Sequence, residues 1–278
     1  MKRFTTSCFI LLAVLATVAH ADFILWDDEQ ITVNSHHQEG NLYDTSRADI
    51  VAGGEVDELY AHDSSTVNIS GGSMGWPSYA YHQSTVTMSA GTMASLFTYN
   101  GSRVEVNGGT VTGYLRPYNE SSVDISGGSV KYLYVEDSST VNMSEGSVTY
   151  LTAYDSNTLD ISGGSVTLLQ VLGDTTLNIS GGTIDNALHT YGSSIVTLNV
   201  KDYRLGGGLT LEGERLLGTG ILSGEWMDGT PRWDIDIATN SGAGIFISQV
   251  PEPTTPAALS GLLGMGLIGR WWRRRRAA

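Results

Sequence analysis

Residues 63–73 read DSSTVNISGGS, and this motif returns along the chain as ESSVDISGGSV (120–130), DSSTVNMSEGSV (137–148), DSNTLDISGGSV (155–166) and GDTTLNISGGTI (173–184). A glycine, usually the second of a pair, marks the same place in each unit and in the more divergent units between them. A near-constant interval between such marks is the signature of stacked structural repeats. The marks are 18 or 19 residues apart and fall at Gly54, Gly72, Gly91, Gly109, Gly128, Gly146, Gly164 and Gly182.

Within each unit apolar and polar residues alternate, which is the pattern of a half-buried β-strand. In Val123-Asp124-Ile125 the aliphatic side chains point to one side and the carboxylate points to the other. A second apolar position follows the glycines, as at Val130, and a third strand-like segment follows it, as at Leu133-Tyr134-Val135. The Gly pairs and the Asp-Ser steps are turn chemistry. Each unit is therefore predicted to be a loop of short strands with one aliphatic side.

Such a loop buries its aliphatic side only against the loops above and below it. The sequence thus predicts an all-β fold, a single-chain parallel β-helix (β-solenoid) of about eight coils with 18–19 residues each. At about 4.8 Å per coil the rod is roughly 40 Å long. The alternative, a β-sandwich or barrel, does not explain turns that recur at a fixed interval. Because the insertions follow the Gly pair, we expect a bulge at residues 74–78.

The repeats occupy residues 44–191, and the segments on either side lack the strict period. Residues 22–43 are predicted to form an N-terminal cap on the first coil. Residues 192–250 keep strand-like runs and Gly-rich turns, so they are predicted to form degenerate coils or a small C-terminal β cap. A cap at each end protects edge strands from pairing with other molecules.

Residues 1–21 have the features of a cleaved secretory signal peptide. Basic residues at positions 2 and 3 precede an apolar run at 8–18, and Ala19-His20-Ala21 places small residues where signal peptidase requires them. We expect export through the Sec pathway and cleavage between Ala21 and Asp22. The alternative is a membrane anchor, but so short an apolar run cannot cross about 30 Å of hydrocarbon.

Residues 251–278 have three parts in a fixed order: Pro251-Glu252-Pro253, an apolar span at 257–269, and an arginine-rich end. A short membrane helix here would keep the arginines in the cytoplasm. The tail resembles the PEP-CTERM sorting signal of Gram-negative bacteria. The resemblance implies recognition by an exosortase, a membrane transpeptidase-like enzyme, with transient anchoring in the inner membrane and release to the cell surface or extracellular matrix. The residues that carry the resemblance are Pro251, Glu252, Pro253, Arg273, Arg274, Arg275 and Arg276.

A plain C-terminal membrane anchor is the alternative interpretation of this tail, and the resemblance implies nothing about what the exported part does. The composition excludes some functions. Residues 22–250 hold 28 acidic and 8 basic residues, a net charge of −20, so binding to a nucleic-acid backbone is excluded. Cys8 is the only cysteine, so a disulfide framework and a Cys-based metal site are excluded too.

One outward row of polar residues follows from the register of the repeats. Carboxylates one coil apart, such as Glu105 and Asp124, lie about 5 Å from each other and must repel or share a cation. The row is interpreted as a solvated polar face. Calcium binding is the alternative, since Ca²⁺ takes clustered oxygen ligands. The predicted row is Asn68, Thr87, Glu105, Asp124, Asn142, Asp160 and Asn178.

Aromatic side chains form two further outward rows. Rows of rings suit stacking against sugars, so exopolysaccharide is a candidate partner. The alternative is ring-on-ring packing, which stabilises adjacent strands without any ligand. The first row holds Tyr60, Phe97 and Tyr134. The second row, the candidate carbohydrate contact, holds Tyr81, Tyr99, Tyr118, Tyr154 and Tyr191.

An enzyme is the rival class, because β-helices also carry polysaccharide lyases and glycoside hydrolases. Such enzymes need convergent carboxylates in a cleft, whereas here the carboxylates recur along rows. His36-His37 is interpreted as surface rather than as a metal site. We therefore predict an exported, non-catalytic structural or adhesive protein of the cell surface or extracellular matrix, with no cofactor, no metal and no catalytic residue.

Overall fold

The computed structural model describes residues 22–75, 77–226, 233–239 and 243–249, and over these residues the chain is all-β without a helix. The first strands are β1 (Phe23–Leu25), β2 (Gln30–Val33), β3 (His36–Leu42), β4 (Arg47–Ile50), β5 (Glu55–Ala61), β6 (Thr66–Met74), β7 (Ser78–Tyr81), β8 (Thr85–Met93), β9 (Leu96–Tyr99), β10 (Arg103–Val106) and β11 (Thr110–Pro117). The remaining strands are β12 (Ser122–Val135), β13 (Thr140–Ala153), β14 (Thr158–Val171), β15 (Thr176–Thr190), β16 (Ile195–Leu205), β17 (Thr210–Glu212), β18 (Arg215–Leu217), β19 (Thr219–Trp226), β20 (Trp233–Thr239) and β21 (Gly244–Gln249).

Successive coils pair in parallel and in register, which confirms the predicted β-solenoid. Val123 on β12 pairs with Val141 on β13, and Val141 pairs with Leu159 on β14. The same column continues upward to Ala48 and downward to Ile245. The solenoid has about nine turns, one more than the eight glycine marks predict.

The core is the set of aliphatic columns inside this rod. The inward side chains of all three segments of a coil are almost fully buried, as at Ile161, Val166 and Leu169. Burying one such side chain contributes about 1.5–3 kcal/mol. Each of them packs mainly on its equivalents in the neighbouring coils, so one repeat is not stable without the next.

Two corners of the coil use left-handed backbone. At the first corner the marked glycines from Gly72 onward have positive φ, for example +78° at Gly164, and a Cβ there would lie 2.7 Å from the carbonyl oxygen of Gly146. Only glycine allows the coils to approach so closely. At the second corner an Asp, Asn or His adopts positive φ instead, as Asp63 does at 59°. Polar side chains of this kind tolerate the left-handed region better than other non-glycine residues.

Small polar side chains are buried inside the second corner, where the sequence suggested only turn residues. Some of their hydroxyls bond to the turn from within: the Ser121 hydroxyl donates to the Tyr118 carbonyl at 2.6 Å, and the Thr175 hydroxyl donates to the Leu172 carbonyl at 2.8 Å. Among the described residues, five serine hydroxyls of the row have no hydrogen-bond partner: those of Ser46, Ser65, Ser84, Ser139 and Ser194. The row is Ser46, Ser65, Ser84, Ser102, Ser121, Ser139, Asn157, Thr175 and Ser194.

The extra residue of the longer coils lies between the second and third segments, after the Gly corner as predicted. Met74 and Ser78 pair with Met93 and Leu96 in the next coil. The coil that contains Met74 is therefore one residue longer here than the next coil. β6 ends at Met74 and β7 begins at Ser78. The bulge was expected at residues 74–78, of which Trp76 lies outside the described residues. The same kind of register shift recurs between Val111 and Tyr114.

The two ends of the rod compare differently with the predicted organisation. Residues 22–43 were predicted to be a cap, but β1 and β2 pair in parallel with β3 and β4, so this segment is the first turn of the solenoid. Its aliphatic alternation is sufficient for a coil although it lacks the Gly pair. At the other end the chain leaves β16 through the antiparallel strands β17 to β19 and returns to close a last turn with β20 and β21. Degenerate coil and β cap are therefore combined there.

Candidate functional site: the outer face of the coils

Six aromatic rings stack along one edge of the rod, and we call them the ring ladder: Trp26, Tyr43, His62, Tyr81, Tyr99 and Tyr118. Each ring follows the third segment of its coil, so the register places it directly over the ring of the previous coil. Ring centroids are 4.2–5.3 Å apart and the planes differ by only 4–14°. The ladder is a regular face-to-face stack over six coils.

In the four inner rings, Tyr43, His62, Tyr81 and Tyr99, stacking on both sides covers the ring faces and leaves the ring edges as the exposed part. Desolvation by burial raises the pKa of Tyr81 and of Tyr99, and it raises the pKa of Tyr118 to about 12. The same cause lowers the pKa of His62. Burial therefore favours the uncharged form of the four rings whose pKa it shifts, and each stacked pair contributes roughly 0.5–1.5 kcal/mol.

The structure places all five predicted tyrosines in one row, but the row is interrupted. Tyr81, Tyr99 and Tyr118 are contiguous. Backbone pairing puts Glu136 between Tyr118 and Tyr154, and it puts Leu172 between Tyr154 and Tyr191. Tyr154 and Tyr191 thus lie outside the ring ladder. The Tyr154 ring contacts Tyr134 edge-on at a centroid distance of 6.5 Å, and the Tyr191 ring contacts His189 edge-on at 6.3 Å.

The first predicted aromatic row also has members that sequence analysis missed. Tyr79 lies between Tyr60 and Phe97, at 5.3 and 5.6 Å from their centroids. The Tyr60 hydroxyl donates to Glu58 at 3.0 Å, and this hydrogen bond raises the pKa of Tyr60 to about 12. The spacing of 19 residues from Tyr60 to Tyr79 was the signal that could have found it.

Arg116 occupies the next position of this row, between Phe97 and Tyr134. Its guanidinium lies 5.5 Å from the Tyr118 ring centroid and 5.4 Å from that of Tyr134, and it pairs with Glu136. The arginine and the glutamate therefore end the ring ladder with an ion pair and cation–π contacts.

A third stack, missed from the sequence, runs along the corner before the third segment. Tyr114, Tyr132 and Tyr150 lie 5.1 and 5.2 Å apart. The Lys131 ammonium group lies 5.2 Å from the Tyr132 centroid. Tyr114 and Tyr150 are among the more exposed large side chains of the described residues.

The polar row satisfies its charges internally. Asn68 donates to Asp49, Asn142 donates to Asp124, and Asn178 donates to Asp160, each at 2.8–2.9 Å across one coil. These amides alternate with carboxylates and keep them apart, so the row has a structural explanation that needs no bound ion.

Glu105 and Asp124, the one adjacent carboxylate pair of the predicted row, share a cation supplied by the protein. Arg103 contacts Glu105 at 2.8 Å and Asp124 at 2.6 Å. Arg47 pairs with Asp49 at 2.8 Å on the same face, three coils earlier.

A shallow depression lies over Asp124, Asn142 and Asp160. Its two carboxylates are in the register of the polar row and are separated by the Asn142 amide, which donates to Asp124. They lie two coils apart along this row.

The two histidines of the predicted surface pair diverge. His36 lies beside Asp57, with Nε2 and Oδ1 3.1 Å apart, and the His37 ring packs edge-on against Phe23 at 5.3 Å. His36 belongs to a group with Glu55 and Asp57 in which one ligand atom from each lies within 4.8 Å of the others.

The predictions for both chain ends lie largely outside the described residues. Of the predicted cleavage pair Ala21 and Asp22, only Asp22 is described, and its carboxylate accepts a hydrogen bond from the Glu39 amide at 3.1 Å. The sorting residues Pro251, Glu252, Pro253 and Arg273–Arg276 are not described. Within the part of the chain that the structure covers, no helix is long and apolar enough to cross a membrane.

The fold and the tail together define a class: a parallel β-solenoid passenger followed by a C-terminal sorting signal. Residues 249–276 match the family described as the PEP-CTERM protein-sorting motif. The chain thus carries a PEP-CTERM sorting motif after β-helix repeats, and this motif implies an exported protein that an exosortase processes at its tail. Comparison with curated proteins and with solved structures finds no significant match.

Proposed function

We propose that the solenoid is a non-catalytic structural or adhesive component of the cell surface or extracellular matrix. The observation that carries this proposal is the outer face itself. Carboxylates accept from amides of the neighbouring coil or bind arginine, and rings stack on rings, so the exposed groups stabilise the rod. A rigid acidic rod with a sorting tail suits a scaffold outside the cell.

The non-catalytic part of the proposal rests on geometry. A glycoside hydrolase or lyase needs two groups aimed at one substrate bond from the walls of a cleft. Asp124 and Asp160, the best carboxylates of the depression, are held two coils apart along one flat row. The test is incubation of the purified protein with acidic and neutral exopolysaccharides. The proposal expects no new reducing ends or unsaturated products, and either product would overturn it.

We further propose that the protein associates with exopolysaccharide along the ring ladder. The rings present edges rather than faces, so the contact is a row of tyrosine hydroxyls and polarised ring edges, one per coil. Tyr81, Tyr99 and Tyr118 are its contiguous members, with Tyr43 before them. Hydroxyl donors at regular intervals suit a polymer that repeats along its own axis.

Conservative substitution separates this role from packing. Tyr81, Tyr99 and Tyr118 changed together to Phe keep the stacked rings but lose the hydroxyls. We expect the variant to fold with an unchanged far-UV spectrum and to lose most retention on immobilised exopolysaccharide. Tyr154→Phe together with Tyr191→Phe is the matched control outside the ladder and is expected to keep retention. Full retention by the triple variant contradicts the ladder as the contact.

The place of action is tested through the tail. Cells that produce the full chain are compared by fractionation with cells that produce a chain ending at residue 250. We expect the full chain at the surface and in the matrix, and the shortened chain in the periplasm. The same distribution for both chains would contradict sorting through residues 251–278.

A further inference from the structure

The corner between the first and second turns of the solenoid brings together three side chains that bind metals in other proteins. β3 and β5 are parallel neighbours, and His36 pairs directly with Glu55. Asp57 lies two residues further along β5, beyond the inward Val56. The imidazole and the two carboxylates come from two adjacent strands, which hold them more rigidly than loops do.

The ligand atoms are already close to the separation that a single ion requires. One atom from each residue lies within 4.8 Å of the others, and His36 Nε2 is 3.1 Å from Asp57 Oδ1. The side chains of His36 and Asp57 are 35% and 47% exposed, so an ion reaches them from solvent and keeps a coordination position for water. Zinc binds nitrogen and carboxylate oxygen ligands at about 2.0–2.2 Å, and we expect rotation of the three side chains to bring their ligand atoms to that distance from one ion.

The local charge favours a cation. Residues 22–60 contain ten acidic residues and one basic residue, Arg47. That arginine is bound by Asp49 on the next face. A field of this sign raises the local concentration of divalent cations.

We propose that His36, Glu55 and Asp57 form a binding site for a divalent transition-metal ion of the zinc type. The imidazole decides the class of ion, because nitrogen ligands suit zinc and its neighbours, whereas calcium takes oxygen ligands only. The ion ties the first turn to the second, where the rod begins. It therefore stabilises the terminal coil, since a ligand that binds only the folded state raises its stability.

The test uses the exported protein, purified without a histidine tag and stripped with chelator. Zn²⁺ is titrated by calorimetry and by thermal melting, and Co²⁺ reports coordination through its visible absorption. We expect one equivalent of Zn²⁺ to bind and the melting midpoint to rise. Ca²⁺ at the same concentration is expected to leave the midpoint unchanged, and an equal rise with Ca²⁺ would overturn the imidazole-based site.

Variants assign the site. His36→Gln is expected to weaken Zn²⁺ binding by more than about 10-fold, because loss of a group that only supports a metal ligand already costs about 10-fold or more. It is also expected to abolish the Co²⁺ absorption bands. His37→Gln, with its ring on Phe23, is the matched control and keeps binding. If His36→Gln does not fold, Asp57→Asn is expected to show the loss and Glu58→Gln to keep binding. Wild-type affinity in His36→Gln or in Asp57→Asn would overturn the proposal.

Discussion

The two halves of the rod share one interior but differ on the outside. In residues 23–118 each coil carries a ring of the ladder, and the third segment adds Tyr60, Tyr79 and Phe97. In residues 122–190 the ladder positions hold Glu136, Tyr154 and Leu172, and no ladder forms. The inward columns continue through both halves without a break. The interior therefore determines the fold, and the outer face is where the halves are free to differ.

Strand continuity differs in the same way. β12, β13 and β14 each run through 14 residues without a break. In the first half the equivalent path is split, as between β8 and β9. The extra residue does not decide this continuity. Met93 and Leu96 are as close in sequence as Val130 and Leu133 in the unbroken β12, whereas β15 stays continuous across an extra residue.

The largest effect is expected from the shared interior. Ile69 and Ile161 occupy the same inward column, one in each half, and both are buried. Changing either to Ala leaves a cavity between coils and should lower the free energy of unfolding by about 2–5 kcal/mol. Urea denaturation measures both variants. A large loss in one half with almost none in the other would refute a common interior.

Replacing a glycine at the first corner should destabilise both halves of the rod to a similar degree. Gly91→Ala and Gly164→Ala place a Cβ 2.6–2.7 Å from atoms of the preceding coil, in a left-handed backbone. Each should cost more than the roughly 1–2 kcal/mol of the left-handed backbone alone. Gly213→Ala is the matched control, because Gly213 has φ +63° but nothing within 4 Å of the added atom. Melting midpoints that fall equally for all three would show that the coils do not approach closely.

The ring ladder should distinguish the halves. Tyr99→Leu removes two stacked ring pairs and should cost about 1–3 kcal/mol, at roughly 0.5–1.5 kcal/mol for each pair. Tyr154→Leu removes one edge-on contact and should cost less than about 1.5 kcal/mol. Chemical denaturation of the two variants measures the difference, and equal costs would mean that stacking along the ladder adds nothing.

The smallest effect concerns pH. Burial between Tyr43 and Tyr81 lowers the pKa of His62 below its unfolded value. As pH falls, His62 is therefore protonated in the unfolded chain before it is protonated in the folded chain. The stability that neutral His62 contributes is fully present above pH of about 6.5 and is lost as pH falls through the folded pKa. His62→Phe should reduce the loss of melting temperature between pH 7.5 and pH 5. An unchanged acid dependence in this variant would exclude His62 as its source.

Much of the architecture could be predicted because the period is written in the sequence. The glycine marks fixed the coil length, the Val-Asp-Ile alternation fixed which side is buried, and together they placed the outer rows in register. The interruptions at Glu136 and Leu172 were also visible at the same spacing. The first turn was mistaken for a cap because it lacks the Gly pair, although Phe23 and Leu25 alternate with Ile24 as a strand requires.

Other features depend on contacts that the repeat does not encode. The antiparallel strands after β16 arise from pairing with the returning β20, which residues 201–226 alone do not specify. The buried serine row was hidden because serine is also an ordinary turn residue. The group of His36, Glu55 and Asp57 needed the register between β3 and β5, which falls in the coil without a mark.

Each repeat unit of 18–19 residues forms one coil of the solenoid, stacked directly on the coil before it. In a Cys8→Ala background, cysteines replacing Asn142 and Asp160 should form a disulfide under mild oxidation. Adjacent coils place the two Cα atoms about 4.8 Å apart, and a disulfide needs a Cα–Cα distance of about 4.4–6.8 Å. Cysteines replacing Asp124 and Asp160, which lie two coils apart, should not form a disulfide. Mass spectrometry of non-reduced peptides should find the first link and not the second; a link between 124 and 160, or none between 142 and 160, would contradict the solenoid.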